Sequence, residues 1–166
     1  MFVRARRPPA PDPDLLVVAP FDVLIPDHVL WREGMVDVLS RNLDGAGPLR
    51  TVPPTVAIRR WKGRGDVGPA TALGLETGAA LAVFGRLLDA GPGSGRISAA
   101  LVDVARRSVT AEFEFRGGAD RIAGLADSLT VALLTQIGRA RPIGAVRYTG
   151  LAAVPLPALK AFLRGE

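Results

Sequence analysis

Five residues between positions 59 and 64 form the most chemically suggestive cluster in the chain: Arg59, Arg60, Trp61, Lys62 and Arg64. Basic side chains around an aromatic ring can hold single-stranded nucleic acid or another anionic partner, through phosphate contacts and stacking. The alternative is a solvated loop whose tryptophan folds back onto the edge of the core. Because tryptophan is scarce, with two in 166 residues, a partner contact by this loop is the sharpest site hypothesis.

The glycine-rich segment 91–95 is the nearest approach to a phosphate-binding loop. A P-loop needs Gly-Lys-Ser/Thr leading into a helix, so that backbone amides and the helix N-terminus face the phosphate. Here the segment is Gly-Pro-Gly-Ser-Gly, no lysine follows, and the next residues have the pattern of a strand. We therefore expect a hairpin turn.

The remaining titratable candidates do not assemble into a catalytic set. His28 is the only histidine, and no recognisable Ser or Cys nucleophile motif is present to complete a triad with it. Glu112 and Glu114 alternate along a strand, and nothing indicates the burial that would shift their pKa values for acid–base catalysis. The chain has no cysteine, which excludes disulfides and thiolate metal ligands within it. We predict a non-enzymatic domain with no metal and no cofactor.

Composition and charge favour one ordinary folded domain. Hydrophobic residues make up 48% and charged residues 22% of the 166 residues, and the formal net charge is +5. That charge gives weak attraction to polyanions but is too small to establish nucleic-acid binding, so we do not expect a nucleic-acid partner. No apolar run reaches the roughly 20 residues of a membrane helix, and the first 14 residues lack the apolar segment of a signal peptide.

The chain divides into three segments by pattern. Residues 1–14, with four prolines, favour an extended linker. Residues 15–140 form the α/β domain, and residues 141–166 are an extension that ends like the start of a helical repeat.

Apolar periodicity, capping residues and turn residues predict the elements of the domain. They are a strand over 15–21, a helix over 29–44 capped by Asp27, a strand over 49–58, a loop over 59–65, a helix capped by Asp66 and running to Thr77, strands over 79–89, 96–106 and 109–116, and a helix capped by Asp120 and running to Arg139.

This order predicts an α/β (α+β) fold, a two-layer sandwich. Its mixed five-stranded sheet has the order β-α-β-α-β-β-β-α, with the helices mainly on one face. The clearest alternation lies in the last strand, where Val109, Ala111, Phe113 and Phe115 should face one way. The polar residues between them indicate that the other face of this strand is exposed to solvent.

Four segments in this order resemble the TolB N-terminal-like domain of bacteria. They are LLVVAPF (15–21), WREGMVDVLSRNL (31–43), LGLETGAALAVFGRL (73–87) and RISAALVDVARRSV (96–109). Related modules lie between serine/threonine kinase or adenylyl cyclase regions and tetratricopeptide arrays. The terminal LPALKAFLRGE (156–166) is similar to the first helix of such an array. The resemblance implies a non-catalytic module used in protein contacts or signal reception, and it supplies no catalytic residues.

The sequence therefore predicts a protein-interaction or sensor module of a bacterial signalling or envelope protein, with neighbouring domains or another protein as partner. The alternative is a polyanion or nucleotide binder that uses the loop from Arg59 to Lys62. The segment itself should not insert into a membrane. Its location would be periplasmic if it follows a membrane helix of a parent protein, and cytoplasmic otherwise.

Overall fold

The computed structural model describes residues 11–25 and 27–140. The extension over 141–166 and most of the predicted linker lie outside the described residues. The elements are β1 (Asp12–Val18), β2 (Asp22–Val23), α1 (Trp31–Leu43), β3 (Arg50–Thr51), α2 (Pro54–Arg60), α3 (Val67–Thr77), β4 (Ala79–Asp89), β5 (Ser94–Asp103), β6 (Ser108–Gly118), a short 3-10 helix (Ala119–Arg121) and α4 (Ile122–Ala140).

The strands form one mixed sheet in the order β3-β1-β4-β5-β6, and the two-residue β2 also pairs with β4. Strand β1 is parallel to both of its neighbours, whereas β4, β5 and β6 form an antiparallel meander. An ion pair between Asp12 and Arg50 joins β1 to β3 beside this pairing. The predicted fold class is confirmed, with β2 as an additional strand.

The two longest helices cover one face of the sheet. Ile137 of α4 lines a cavity with Leu81 and Leu101, and α1 packs against α4. Asn42 of α1 donates a hydrogen bond to the Thr130 hydroxyl of α4, with 3.3 Å between the two heavy atoms. These two helices therefore form the main helical layer.

Helix α3 begins on the opposite face. Val67, in its first turn, lines a groove with Phe84, Ala100 and Glu112, which lie directly across from one another on β4, β5 and β6. Phe84 and Ala100 alternate with the residues that face α4, and side chains at alternate positions point to opposite faces. The connections that leave β1 and β3 thus run over different sides of the sheet.

The core lies between the sheet and the α1–α4 layer. Leu16, Val17 and Val18 of β1 are completely buried, as expected for a central strand covered on both faces. The predicted stripe of α4 is also confirmed, because all of its members are buried. They are Ile122, Leu125, Ala126, Leu129, Leu133 and Ile137.

The second predicted strand is wrong beyond Thr51. Strand β3 contains only Arg50 and Thr51, and α2 begins at Pro54. Proline has no N–H to donate to a sheet ladder, but its fixed φ suits the first position of a helix. The Pro53-Pro54 pair therefore ends the strand and starts a helix, which extends to Arg60 and includes two residues predicted as loop.

Two of the three predicted helix caps are also wrong. Helix α1 follows Leu30 without a side-chain cap, and Asp27 adopts a left-handed conformation (φ 65°) before it. Asp120 lies inside the 3-10 helix that precedes α4. The third cap is confirmed: the Asp66 carboxylate accepts a hydrogen bond from the Val67 N–H at 2.7 Å, and Gly78 ends α3 as predicted.

A β-bulge changes the predicted alternation of β6. Leu101 pairs with Ala111 but Val102 pairs with Val109, so that Thr110 is an additional residue in β6. One inserted residue shifts the alternation, so that the side chains before and after it no longer follow one pattern. Val109 therefore lies on the side of Glu112, 38% exposed, and not on the side of Ala111 as the alternation predicted.

Substitution of Gly85 tests how tightly the α1 side of the sheet is packed. A Cβ atom there would lie 2.5 Å from Cε2 of the buried Phe21 ring and 2.6 Å from the Ser98 carbonyl oxygen. We expect Gly85→Ala to lower the free energy of unfolding, measured by urea denaturation, by about 1–3 kcal/mol. The control is Gly124→Ala in α4, where nothing lies within 4 Å of the added atom. There the helix propensity of alanine should raise stability by up to about 1 kcal/mol; equal effects of the two substitutions would contradict this account.

Candidate functional site

The predicted partner-binding cluster is divided between a helix end, the core and a loop. Arg59 and Arg60 are exposed at the end of α2, and Lys62 and Arg64 are exposed in the loop that leads to α3. Trp61 lies between these pairs and is only 8% exposed, as part of the hydrophobic core. The four cations are therefore available to a partner, whereas the indole ring is not placed to stack on a base.

Trp61 anchors this basic segment to the domain. Its backbone N–H donates to the Ala57 carbonyl at 3.0 Å, which closes α2. The indole Nε1 is buried and has no hydrogen-bond partner among the described residues. An unpaired buried donor has a desolvation cost, so the contribution of this side chain to stability comes from the burial of its ring. The position of Trp61 agrees with the alternative in which it packs onto the core.

Three large apolar side chains are exposed between β2 and α1, and we call them the apolar loop surface. Leu24 is 60%, Val29 68% and Leu30 86% exposed. The chain is held at both sides of them by backbone hydrogen bonds, from Leu24 N–H to the Leu87 carbonyl at 2.8 Å and from Phe21 N–H to the Arg32 carbonyl at 3.0 Å. These side chains are therefore exposed in a segment whose flanks are hydrogen-bonded to the rest of the domain.

An arginine pocket of about 530 Å³ adjoins this surface. Arg32 of α1, Arg64 of the α2–α3 loop and Arg86 of β4 line it, together with Asp22. None of the three arginines forms an ion pair with another residue in the described part of the chain. The apolar side of the pocket is made by Val23, Leu24 and Val29.

Hydrogen bonds of Gly65 join the α2–α3 loop to β2 and to β4 at this pocket. Its N–H donates to Asp22 Oδ2 at 2.9 Å, and its carbonyl accepts from Arg86 Nη2 at 3.3 Å. A Cβ atom at this position would lie 3.1 Å from the Gly85 carbonyl oxygen, so the close approach favours glycine. Sequence reasoning found Arg64 but missed Arg32 and Arg86, because the three arginines lie on separate elements that come together only through the pairing of β2 with β4 and the hydrogen bonds of Gly65.

The uncovered side of β4, β5 and β6 forms a second concave surface, the sheet-face groove, which also has a volume of about 530 Å³. Phe84 and Ala100 supply its apolar floor, and Glu112 and Glu114 lie along its β6 side. Glu114 is half exposed and pairs with Arg96 at 3.5 Å. As predicted, the two carboxylates lie on a solvated face.

The other residues considered from sequence lie in ordinary structural positions. The glycine-rich segment forms the turn between β4 and β5, as predicted. His28 lies between β2 and α1, where its carbonyl oxygen accepts from the Trp31 N–H at 3.0 Å. Within residues 11–25 and 27–140, no three His, Cys, Asp or Glu side chains are grouped to hold a metal ion. No helix in that part of the chain is long and apolar enough to cross a bilayer.

The fold is similar to that of solved proteins, matching part of one and nearly the whole of another. TolB from Acinetobacter baumannii matches with a TM-score of 0.53 and 16% identity, over 77% of this chain and 29% of TolB. Lipoprotein GNA1162 from Neisseria meningitidis matches with a TM-score of 0.51 and 18% identity, over 76% of this chain and 99% of the lipoprotein. At these identities the similarity shows a shared fold, which confirms the TolB-like fold. This chain spans less than a third of TolB. A scan against protein-family models and a search of curated proteins found no match.

Replacing Trp61 separates an anchoring role from a surface role. Because the ring is buried, we expect Trp61→Ala to lower the free energy of unfolding by about 3–5 kcal/mol, measured by urea denaturation. The adjacent exposed Lys62→Ala should change it by no more than about 0.5 kcal/mol. A stable Trp61→Ala variant would show that the indole is not part of the core.

Proposed function

We propose that this domain is a non-catalytic protein-interaction or sensor module of a bacterial signalling or envelope protein. The observation that carries the proposal is the apolar loop surface, because Leu24, Val29 and Leu30 are all largely exposed within one short segment. Burying a large aliphatic side chain contributes about 1.5–3 kcal/mol. Contact with a partner would therefore remove these side chains from water and stabilise the complex.

The fold similarities support the envelope setting of this proposal. One of the two matched proteins is named as a lipoprotein, a class of protein attached to membranes by a lipid. The signalling setting rests on the resemblance of residues 15–109 to modules near kinase or cyclase regions. It also rests on the similarity of residues 156–166, outside the described residues, to the start of a tetratricopeptide array.

Site-specific photocrosslinking tests the interaction surface. A photoreactive residue at position 30, in the whole parent protein and in its own host, should give a discrete adduct with a partner or neighbouring domain. The same residue at position 75 is the matched control, because Leu75 is also apolar and exposed, at 41%, but lies on α3. A Leu24→Ser variant should reduce the adduct from position 30 while leaving the free energy of unfolding within about 0.5 kcal/mol. Equal, diffuse labelling from both positions would count against the proposal.

A second candidate is polyanion binding by the basic segment, because Arg59, Arg60, Lys62 and Arg64 are exposed and form no ion pairs among the described residues. We expect binding of polyphosphate to fall steeply as salt rises, with a shallower slope of log K against log salt in Arg59→Gln and Lys62→Gln. Because Trp61 is buried, its fluorescence should change little on binding. Affinity that is insensitive to salt, or equally lowered by Arg107→Gln at the β5–β6 turn, would exclude this segment as the site.

A further inference from the structure

We propose that the arginine pocket binds a small phosphate monoester that carries an apolar group. This site adds a ligand to the proposed interaction module, and it shares Leu24 and Val29 with the apolar loop surface. Leu30, the most exposed residue of that surface, does not line the pocket.

The charges around the pocket match a dianion. Arg32, Arg64 and Arg86 are permanently protonated. Among residues 11–25 and 27–140, Asp22 is the only carboxylate that lines the pocket, which gives these described residues a formal excess of two positive charges. The described residues supply no ion-pair partner to any of the three arginines. A phosphate monoester carries about −1.5 to −2 charges at pH 7, whereas a carboxylate carries one and leaves the excess only partly neutralised.

Position in the fold adds to this attraction. The pocket lies beyond the carboxyl end of β1, beside the pairing of β2 with β4 and next to the start of α1. Arg32 lies in the first turn of the 13-residue α1, whose positive end disfavours a cation. An anion next to Arg32 would relieve that repulsion and interact with both charges.

One side of the pocket is held in place by hydrogen bonds within the domain. Gly65 ties the Asp22 carboxylate to the α2–α3 loop and accepts a hydrogen bond from Arg86, so that two of the three segments keep a fixed spacing. This arrangement leaves other N–H groups of the Arg86 guanidinium for a ligand, since that group has five donors in all. The entropy lost on binding is smaller when the donors are already ordered.

The apolar side identifies the rest of the ligand. A volume of about 530 Å³ lies in the range of small-molecule pockets and exceeds what a phosphate group alone would occupy. Val23, Leu24 and Val29 line the pocket beside the arginines, and Leu24 and Val29 are largely exposed. A short hydrocarbon group on the phosphate would cover them.

The test uses the full 166-residue chain and three probes, butyl phosphate, inorganic phosphate and pentanoate, in calorimetric titrations at fixed salt. Butyl phosphate should bind about tenfold more tightly than inorganic phosphate, because its chain removes apolar surface from water. Pentanoate should bind about tenfold more weakly than butyl phosphate, because it lacks the second charge. Equal affinity for pentanoate and butyl phosphate, or no measurable binding of either phosphate, would overturn the proposal.

Variants assign the binding to the pocket. Arg32→Gln and Arg64→Gln should each weaken both phosphates about tenfold, and neither side chain holds the Gly65 contacts. Leu24→Ser should weaken butyl phosphate but leave inorganic phosphate unchanged. Arg107→Gln removes the same charge at the distant β5–β6 turn and should change neither affinity; an equal loss there would show general electrostatic attraction and would overturn the assigned site.

Two further controls keep this result separate from the interaction proposal. Leu30→Ser should leave phosphate binding unchanged and reduce partner contact. Arg32→Gln should weaken phosphate binding and leave partner contact unchanged. Circular dichroism and the thermal midpoint of each variant show whether it is folded. Arg86→Lys is a second variant of β4 that keeps the charge, and it should retain part of the affinity that Arg86→Gln loses.

Discussion

The parallel pairing of β1 between β3 and β4 is the constraint on which the rest of the structure depends. Leu16, Val17 and Val18 are completely buried, so this strand needs cover on both faces. The chain supplies that cover with connections that diverge: α1 lies on one side and α3 begins on the other. The antiparallel meander then extends the sheet toward β6, which packs against α4.

Both concave surfaces of the domain follow from this arrangement. The arginine pocket lies beyond the end of β1, between the start of α1 and the α2–α3 loop, and the sheet-face groove lies on the part of β4, β5 and β6 that α3 leaves uncovered. Arg86 lines both, because its side chain points to the α3 face at the boundary between the covered and uncovered parts of the sheet. The ligand-accessible surfaces are therefore a result of incomplete layering around one buried strand.

Local signals predicted the elements whose ends are set by single residues. Asp66 and Gly78 bracket α3, and the apolar periodicity of α4 gave its buried stripe correctly. Prediction failed at Pro53-Pro54, where the same residues can end a strand or begin a helix, and the choice depends on tertiary packing. The burial of Trp61 was one of two alternatives that the sequence left open, and the arginine pocket was not predicted. The pocket depends on segments distant in sequence, and no local pattern encodes their contact.

The bulge at Thr110 affects how the edge of the sheet can pair with other chains. Strand β6 is the last strand of the described sheet, and a long, flat edge strand is a template for aggregation with other chains. A bulge increases the twist of such a strand, and Glu112, Glu114 and Arg116 add exposed charges along it. The residue that broke the predicted alternation thus belongs to a feature that disfavours edge-to-edge pairing at β6.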